Sequence, residues 1–210
     1  MESATPTRTK RPKGLDAATM AEAFQLTAQE NRDRPAIRTK GDEFSCTWGE
    51  YAEKVERLAR GFAAMGLEKG QTIGIMLTNR PEFHFTDSAA LHLGATPFSI
   101  YNTYTAEQID YLVGDAANKI LVTEKAFLPT VTQVKGIETV VLVDGDGSDG
   151  TLTLDDVESK GDDSFDFEGA WKAVQPDDIL TLIYTSGTTG PPKGVQITHC
   201  LLYTSPSPRD

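Results

Sequence analysis

Cysteine is scarce in this chain: its 210 residues hold only Cys46 and Cys200. Two cysteines make neither a disulfide framework nor a cysteine-based metal cluster, and they fit a reducing compartment. No run of about 18 apolar residues occurs, so no membrane-spanning helix is predicted. Met1-Glu2-Ser3 is not followed by an apolar stretch, so no secretory signal is read and the expected location is cytoplasmic. Cations are also short. Twenty Lys and Arg face 31 Asp and Glu, a net charge of −11. That balance argues against nucleic acid as a partner. No internal repeat is present. The remainder, 39% apolar and 24% charged, is ordinary for a globular protein of one or two domains.

Four of the 20 cations lie close together near the start. Arg8, Lys10, Arg11 and Lys13 lie among prolines, and residues 1–18 read as a solvated, disordered tail. A transit peptide is the minor alternative, though the tail lacks an apolar face, and four cations are at the low end for peripheral contact with anionic lipid heads. Three helix starts follow the Ser/Thr-x-x-Glu/Gln pattern: Thr19 with Glu22, Thr47 with Glu50, and Thr105 with Gln108. Behind the second, Tyr51, Val55, Leu58, Ala59 and Phe62 fall on one helical face. Pro35–Arg38 and 43–47 read as a small hairpin around Lys40-Gly41-Asp42. Apolar runs near 72–77, 95–100, 120–122, 139–143 and 179–183 read as buried strands, with helices between them near 81–93, 105–117 and 125–134. Continuous apolar strands alternating with helices predict an α/β fold: a doubly wound, mostly parallel sheet with helices on both faces.

Residues 144–168 change texture, with ten acidic side chains and Lys160 as the sole cation. An EF-hand loop is the sharp alternative to a solvated surface loop. Its sixth position needs Gly and holds Asp149, and its twelfth holds Asp155 in place of Glu. A short helix over Leu154–Ser159 is expected inside the stretch. His84 and His92 stand eight apart, too far to chelate one metal in the i, i+4 manner. No metal ligand and no catalytic side chain is assigned.

The chemistry concentrates in Tyr184-Thr185-Ser186-Gly187-Thr188-Thr189-Gly190-Pro191-Pro192-Lys193-Gly194. Glycines let backbone N–H groups approach phosphate oxygens, hydroxyls donate hydrogen bonds, and Lys supplies a point charge. A Walker A loop is excluded by spacing. Counting from Gly187 puts Pro192 where the second Gly belongs and Gly194 where Ser or Thr belongs. The β-branched Val195, Ile197 and Thr198 follow, where a P-loop would open a helix.

This string resembles, residue for residue, the phosphate-binding signature of AMP-forming adenylating enzymes: acyl-CoA synthetases, luciferases and peptide-synthetase adenylation domains. The resemblance runs from about 19 to 199, through Thr47-Trp48-Gly49-Glu50-Tyr51, Asn79-Arg80-Pro81-Glu82-Phe83 and 94–103. Ile100-Tyr101-Asn102-Thr103 followed by Glu107–Leu112 is similar to the long-chain fatty acyl-CoA synthetase branch. The resemblance implies activation of a carboxylate by ATP to acyl-AMP, with Mg²⁺, and transfer of the acyl group to CoA. It implies phosphate-binding roles for Thr185, Ser186, Gly187, Thr188, Thr189, Gly190 and Lys193. His199 matches the family's Thr-His beyond the loop, and no catalytic role is expected of it. The alternatives are an aryl or coumarate CoA ligase, a peptide-synthetase domain, and a non-catalytic α/β binding module.

Cys200–Asp210 departs from the family. Pro206 and Pro208 oppose the helix expected there, and the string looks like a translated sequencing adapter. The domain reading is thus a tail (1–18), a partial N-terminal AMP-binding domain (19–199) and an artefactual tail (200–210). The expectation is a fatty acid–CoA ligase as the parent enzyme, with the 210 residues alone inactive and poorly soluble.

Overall fold

The computed structural model describes residues 11–148, 150–185 and 191–204, with the side chains of 202–204 outside the description. A turn at Lys13–Asp16 lies inside the stretch read as a disordered tail. Gly14 is buried there: a Cβ on it would sit 2.7 Å from the Thr27 hydroxyl. The tail reading counted cations and overlooked this seat on the first helix.

That helix, α1 (Met20–Glu30), is capped by Thr19, whose side chain accepts from Glu22 N–H. The Glu22 carboxylate reaches past the cap to Ala18 N–H at 2.8 Å, so the box is not reciprocal. β1 (Pro35–Arg38) and β2 (Ser45–Thr47) pair antiparallel as a separate two-stranded sheet. α2 (Trp48–Ala64) opens with a full capping box between Thr47 and Glu50. Its Tyr51, Val55, Leu58, Ala59 and Phe62 are all buried, as the spacing requires.

The main sheet is then built by β3 (Thr72–Met76), α3 (Pro81–His92), β4 (Thr96–Ser99), α4 (Ala106–Asp115) and β5 (Ile120–Thr123). There follow the short α5 (Leu128–Val131), β6 (Thr139–Leu142), β7 (Leu152–Thr153), α6 (Leu154–Ser159) and α7 (Phe167–Lys172). β8 (Ile179–Thr185), β9 (Lys193–Thr198) and α8 (His199–Thr204) close the chain. Strand order is β7-β6-β5-β3-β4-β8-β9, parallel throughout except for β9. The predicted doubly wound, mostly parallel sheet is the fold observed.

Both faces are covered, as continuous apolar strands demand. Ile120 and Val122 of β5 join one cluster with residues of α2, α3, α6 and α7. Leu121 between them points into the other, with Ile109, Leu112 and Val113 of α4. One correction concerns 125–134, where a 3-10 turn (Lys125–Phe127) and the four-residue α5 replace the expected continuous helix.

The acidic stretch is a second correction. It is not a solvated loop: Leu154, Val157 and Phe167 are buried in the core. Gly61 of α2 lets α6 approach so closely that a Cβ would lie 2.0 Å from Val157 O. Arg60 Nη1 donates to the carbonyls of Asp162, Asp163 and Phe165 at 3.0, 2.9 and 3.1 Å. Arg57 Nε meets Glu158 Oε2 at 2.6 Å, and Lys54 pairs with the same carboxylate. Glu158 turns toward α2, most of the other described acids are exposed, and Leu152, Leu154, Val157, Phe165 and Phe167 do the packing. α8 is a third difference, forming before Pro206 and ending at Thr204.

Candidate phosphate-binding site

Two of the expected site residues, Thr185 and Lys193, sit on β8 and β9. Thr185 and Lys193 are directly opposed, and Tyr184 faces Gly194 in the preceding pair. Both Thr185 and Lys193 are exposed. Ser186, Gly187, Thr188, Thr189 and Gly190 lie outside the described residues. β8 runs parallel to β4 with Leu182 opposite Phe98, so Thr185 stands about 10 Å beyond that level at the carboxyl edge. Crevices at the carboxyl ends of the strands are where doubly wound sheets bind ligands.

Side chains alternate along the hairpin. One face carries Thr185, Lys193, Ile183 and Val195, the last two 50% and 44% exposed. The other carries Tyr184, buried against α4 with its ring centroid 5.8 Å from that of Phe98. Tyr184 OH donates to Asp115 Oδ2 at 2.8 Å. Burial, then the neighbouring carboxylate, pushes the Tyr184 phenol well above its ordinary value, so it stays protonated and donating. Gly194 leaves room for the ring, since a Cβ there would stand 3.2 Å from Tyr184 Cζ. From the same helix, Tyr111 OH donates to Pro192 O at 3.0 Å.

β8 has neighbours on both sides, β4 and β9, and β9 forms the sheet edge. A cavity of about 520 Å³ opens beside β8, with Phe83, Leu91, Thr181 and Ile183 in its wall. Asp87 also lines it, and burial pushes that carboxyl up to about 6. Sequence reasoning missed Asp87, Tyr111 and Asp115. All three lie on helices about 70 or more residues before the phosphate stretch, and no local pattern marks them.

Two of the histidines are held by internal hydrogen bonds. His92 is buried, donates from Nδ1 to Ser88 O at 2.7 Å and meets Gln25 Nε2 at 3.0 Å through Nε2. Burial holds it down at about 4. His199 Nδ1 accepts from Met20 N–H at 3.0 Å, tying the end of β9 to the start of α1. Among the described residues no group of three or more His, Cys, Asp or Glu could hold a metal ion. No helix of the described residues is long and apolar enough to cross a membrane.

Known proteins resemble the chain over most of its length. The family model for AMP-binding enzymes matches residues 24–205. An uncharacterised protein of Mycobacterium tuberculosis is 43% identical over 141 residues, 66% of this chain and 77% of its own length. 4-Coumarate–CoA ligase 3 of Oryza sativa is 34% identical over 173 residues, 82% of this chain but 30% of the ligase. The solved long-chain-fatty-acid–CoA ligase of Archaeoglobus fulgidus superposes with a TM-score of 0.76 at 27% identity, over 88% of this chain and 37% of that one. The doubly wound sheet is the N-terminal domain fold of adenylating enzymes, and the chain belongs to the AMP-binding enzyme family.

Proposed function

We propose that this chain supplies the phosphate-binding hairpin of an AMP-forming acid–thiol ligase whose carboxylate is a long-chain fatty acid. The observation that carries the reading is the opposition of exposed Thr185 and Lys193 at the carboxyl edge of the sheet. Lys193 has no ion-pair partner among the described residues, so its ammonium is available to an anion. In the first half-reaction a carboxylate oxygen attacks the α-phosphorus of ATP. The bond to pyrophosphate breaks and acyl-AMP forms. In the second, the CoA thiol attacks the acyl carbonyl carbon and AMP leaves.

The protein's task in such transfers is positioning and charge neutralisation. Lys193 neutralises the departing pyrophosphate. The hydroxyls of Thr185, Ser186, Thr188 and Thr189 donate to phosphate oxygens. Gly187 and Gly190 allow close backbone approach. Isothermal titration of ATP into the chain tests this, with Lys193→Gln expected to weaken binding about tenfold or more by loss of a charge-assisted contact. Equal affinity in the two proteins refutes the role of Lys193.

The fatty-acid reading rests on Ile100-Tyr101-Asn102-Thr103 and on likeness to the Archaeoglobus ligase. Carboxylate-dependent ATP–pyrophosphate exchange decides it, run on the full reading frame that carries this chain. Palmitate, p-coumarate and an amino acid are compared in parallel. Exchange with coumarate or the amino acid, and none with palmitate, overturns the fatty acid.

A further inference from the structure

We propose that Tyr111 and Asp115 of α4 are positioning residues that fix both ends of the phosphate stretch from outside it. The inference rests on the phosphate-binding reading of the hairpin. Tyr111 and Asp115 are four apart and so share one helical face. The first donates its phenol to Pro192 O at 3.0 Å; the second accepts from Tyr184 OH at 2.8 Å. Pro192 is covalently next to Lys193, and Tyr184 is next to Thr185. One turn of helix thus reaches the residue adjoining each member of the opposed pair.

The geometry explains three sequence choices together. Pro192 has no N–H, so its carbonyl is the one backbone group through which it can be held, and Tyr111 holds it. Gly194 carries no Cβ because the Tyr184 ring occupies that space, at 3.2 to 3.3 Å from where a Cβ would stand. Asp115 lies at the end of α4, where it can reach Tyr184 without breaking the helix. A methyl at 194 would push the ring away from Asp115, so the glycine and the carboxylate serve one contact. The hydrogen bonds set where the Lys193 ammonium stands relative to the Thr185 hydroxyl.

Two readouts separate this inference from the one beneath it. Trypsin cleavage after Lys193 reports the anchoring without any ligand. ATP affinity reports its consequence. Tyr111→Phe removes one hydroxyl. Asp115→Ala removes an acceptor that Asp115→Asn restores through its amide oxygen. We expect Tyr111→Phe and Asp115→Ala each to speed cleavage after Lys193 about fivefold, the effect of one ordinary hydrogen bond. Cleavage after the distant, exposed Lys172 stays unchanged. ATP binding weakens by a similar factor, and Asp115→Asn behaves as the parent. Tyr184→Phe adds nothing to Asp115→Ala, because both remove the same bond. Unchanged cleavage after Lys193 in Tyr111→Phe and Asp115→Ala overturns the proposal, as does failure of Asp115→Asn to restore the parent rate. A parent chain that binds no ATP refutes the phosphate-binding reading instead, while the cleavage rates still decide the anchoring.

Discussion

His92 and Asp87, five residues apart on α3, respond to acid in opposite directions. His92 is nearly sealed from solvent and packed in parallel on Phe167, with ring centroids 5.4 Å apart. Ser88 O can only accept, so Nδ1 carries the proton and Nε2 accepts from the Gln25 amide. Protonating Nε2 would set two donors against each other in a site that cannot solvate the charge. The ring is therefore held down at about 4 against an ordinary 6.5. The unfolded chain takes up the proton first. Stability from this group is complete above pH 6.5, falls as pH drops from there, and is fully lost below about 4. The difference corresponds to about 3 kcal/mol. Asp87 works the other way. Burial lifts its carboxyl from 3.8 to about 6, so the folded state is penalised above pH 6 and relieved as pH falls toward 3.8. The relief is at most about 3 kcal/mol and is less to the extent that water reaches the group. Between pH 6.5 and 4 these two contributions largely cancel in the parent protein. Asp87→Asn exposes the histidine alone: the variant gains stability at pH 7 and loses about 3 kcal/mol more than the parent on titration to pH 4. Urea unfolding at several pH values measures it. If the curves of parent and Asp87→Asn run parallel across that window, the reasoning fails.

Gly61→Ala would place a methyl 2.0 Å from Val157 O and force α6 off α2; we expect a loss above about 2 kcal/mol in urea unfolding, and parental stability would show the helices can part freely. Thr47→Ala removes the hydroxyl that accepts from Glu50 N–H at 3.2 Å, and an unfolding midpoint lower by about 1 kcal/mol of stability is expected. Asn118→Ala strands the buried Gly74 N–H, which Asn118 Oδ1 accepts at 2.9 Å, at a cost of about 1 to 3 kcal/mol. Amide exchange at Gly74 should accelerate with it, and unchanged protection there would contradict the assignment.

The sequence made the sheet legible because its information is local and repeated. The Thr47–Glu50 and Thr105–Gln108 pairs became full capping boxes, and the apolar face of α2 was buried as its spacing required. In the acidic stretch the helix expected over Leu154–Ser159 formed, but charge density hid the packing: Leu154, Val157 and Phe167 are buried in the core. The glycine that admits them, Gly61, lies about a hundred residues away on α2. The site divides in the same manner. The phosphate string names its own chemistry, since hydroxyls, glycines and a lysine stand together in the chain. Its supports do not: Tyr111 and Asp115 look like any two polar residues of an amphipathic helix until β8 and β9 are laid beside it.

On the proposed reading, the hairpin solves differently a problem that a P-loop solves with a helix. A strand-to-helix loop presents phosphate with the positive end of a helix dipole and a row of free N–H groups. Here a strand follows, and two prolines remove donors. Charge must come from Lys193 itself, on a side chain with no fixed geometry of its own. Its placement therefore depends on register. As direct partners, Thr185 and Lys193 share one face of the hairpin; Tyr184 and Gly194, one step back, share the other. Strand alternation divides the work, with ligand groups outward and anchoring groups inward on α4. A slip of β9 by one residue would turn the ammonium toward α4 and take Gly194 from opposite Tyr184. Tyr184 resists that slip, because its ring, its bond to Asp115 and the space at Gly194 fit in one register.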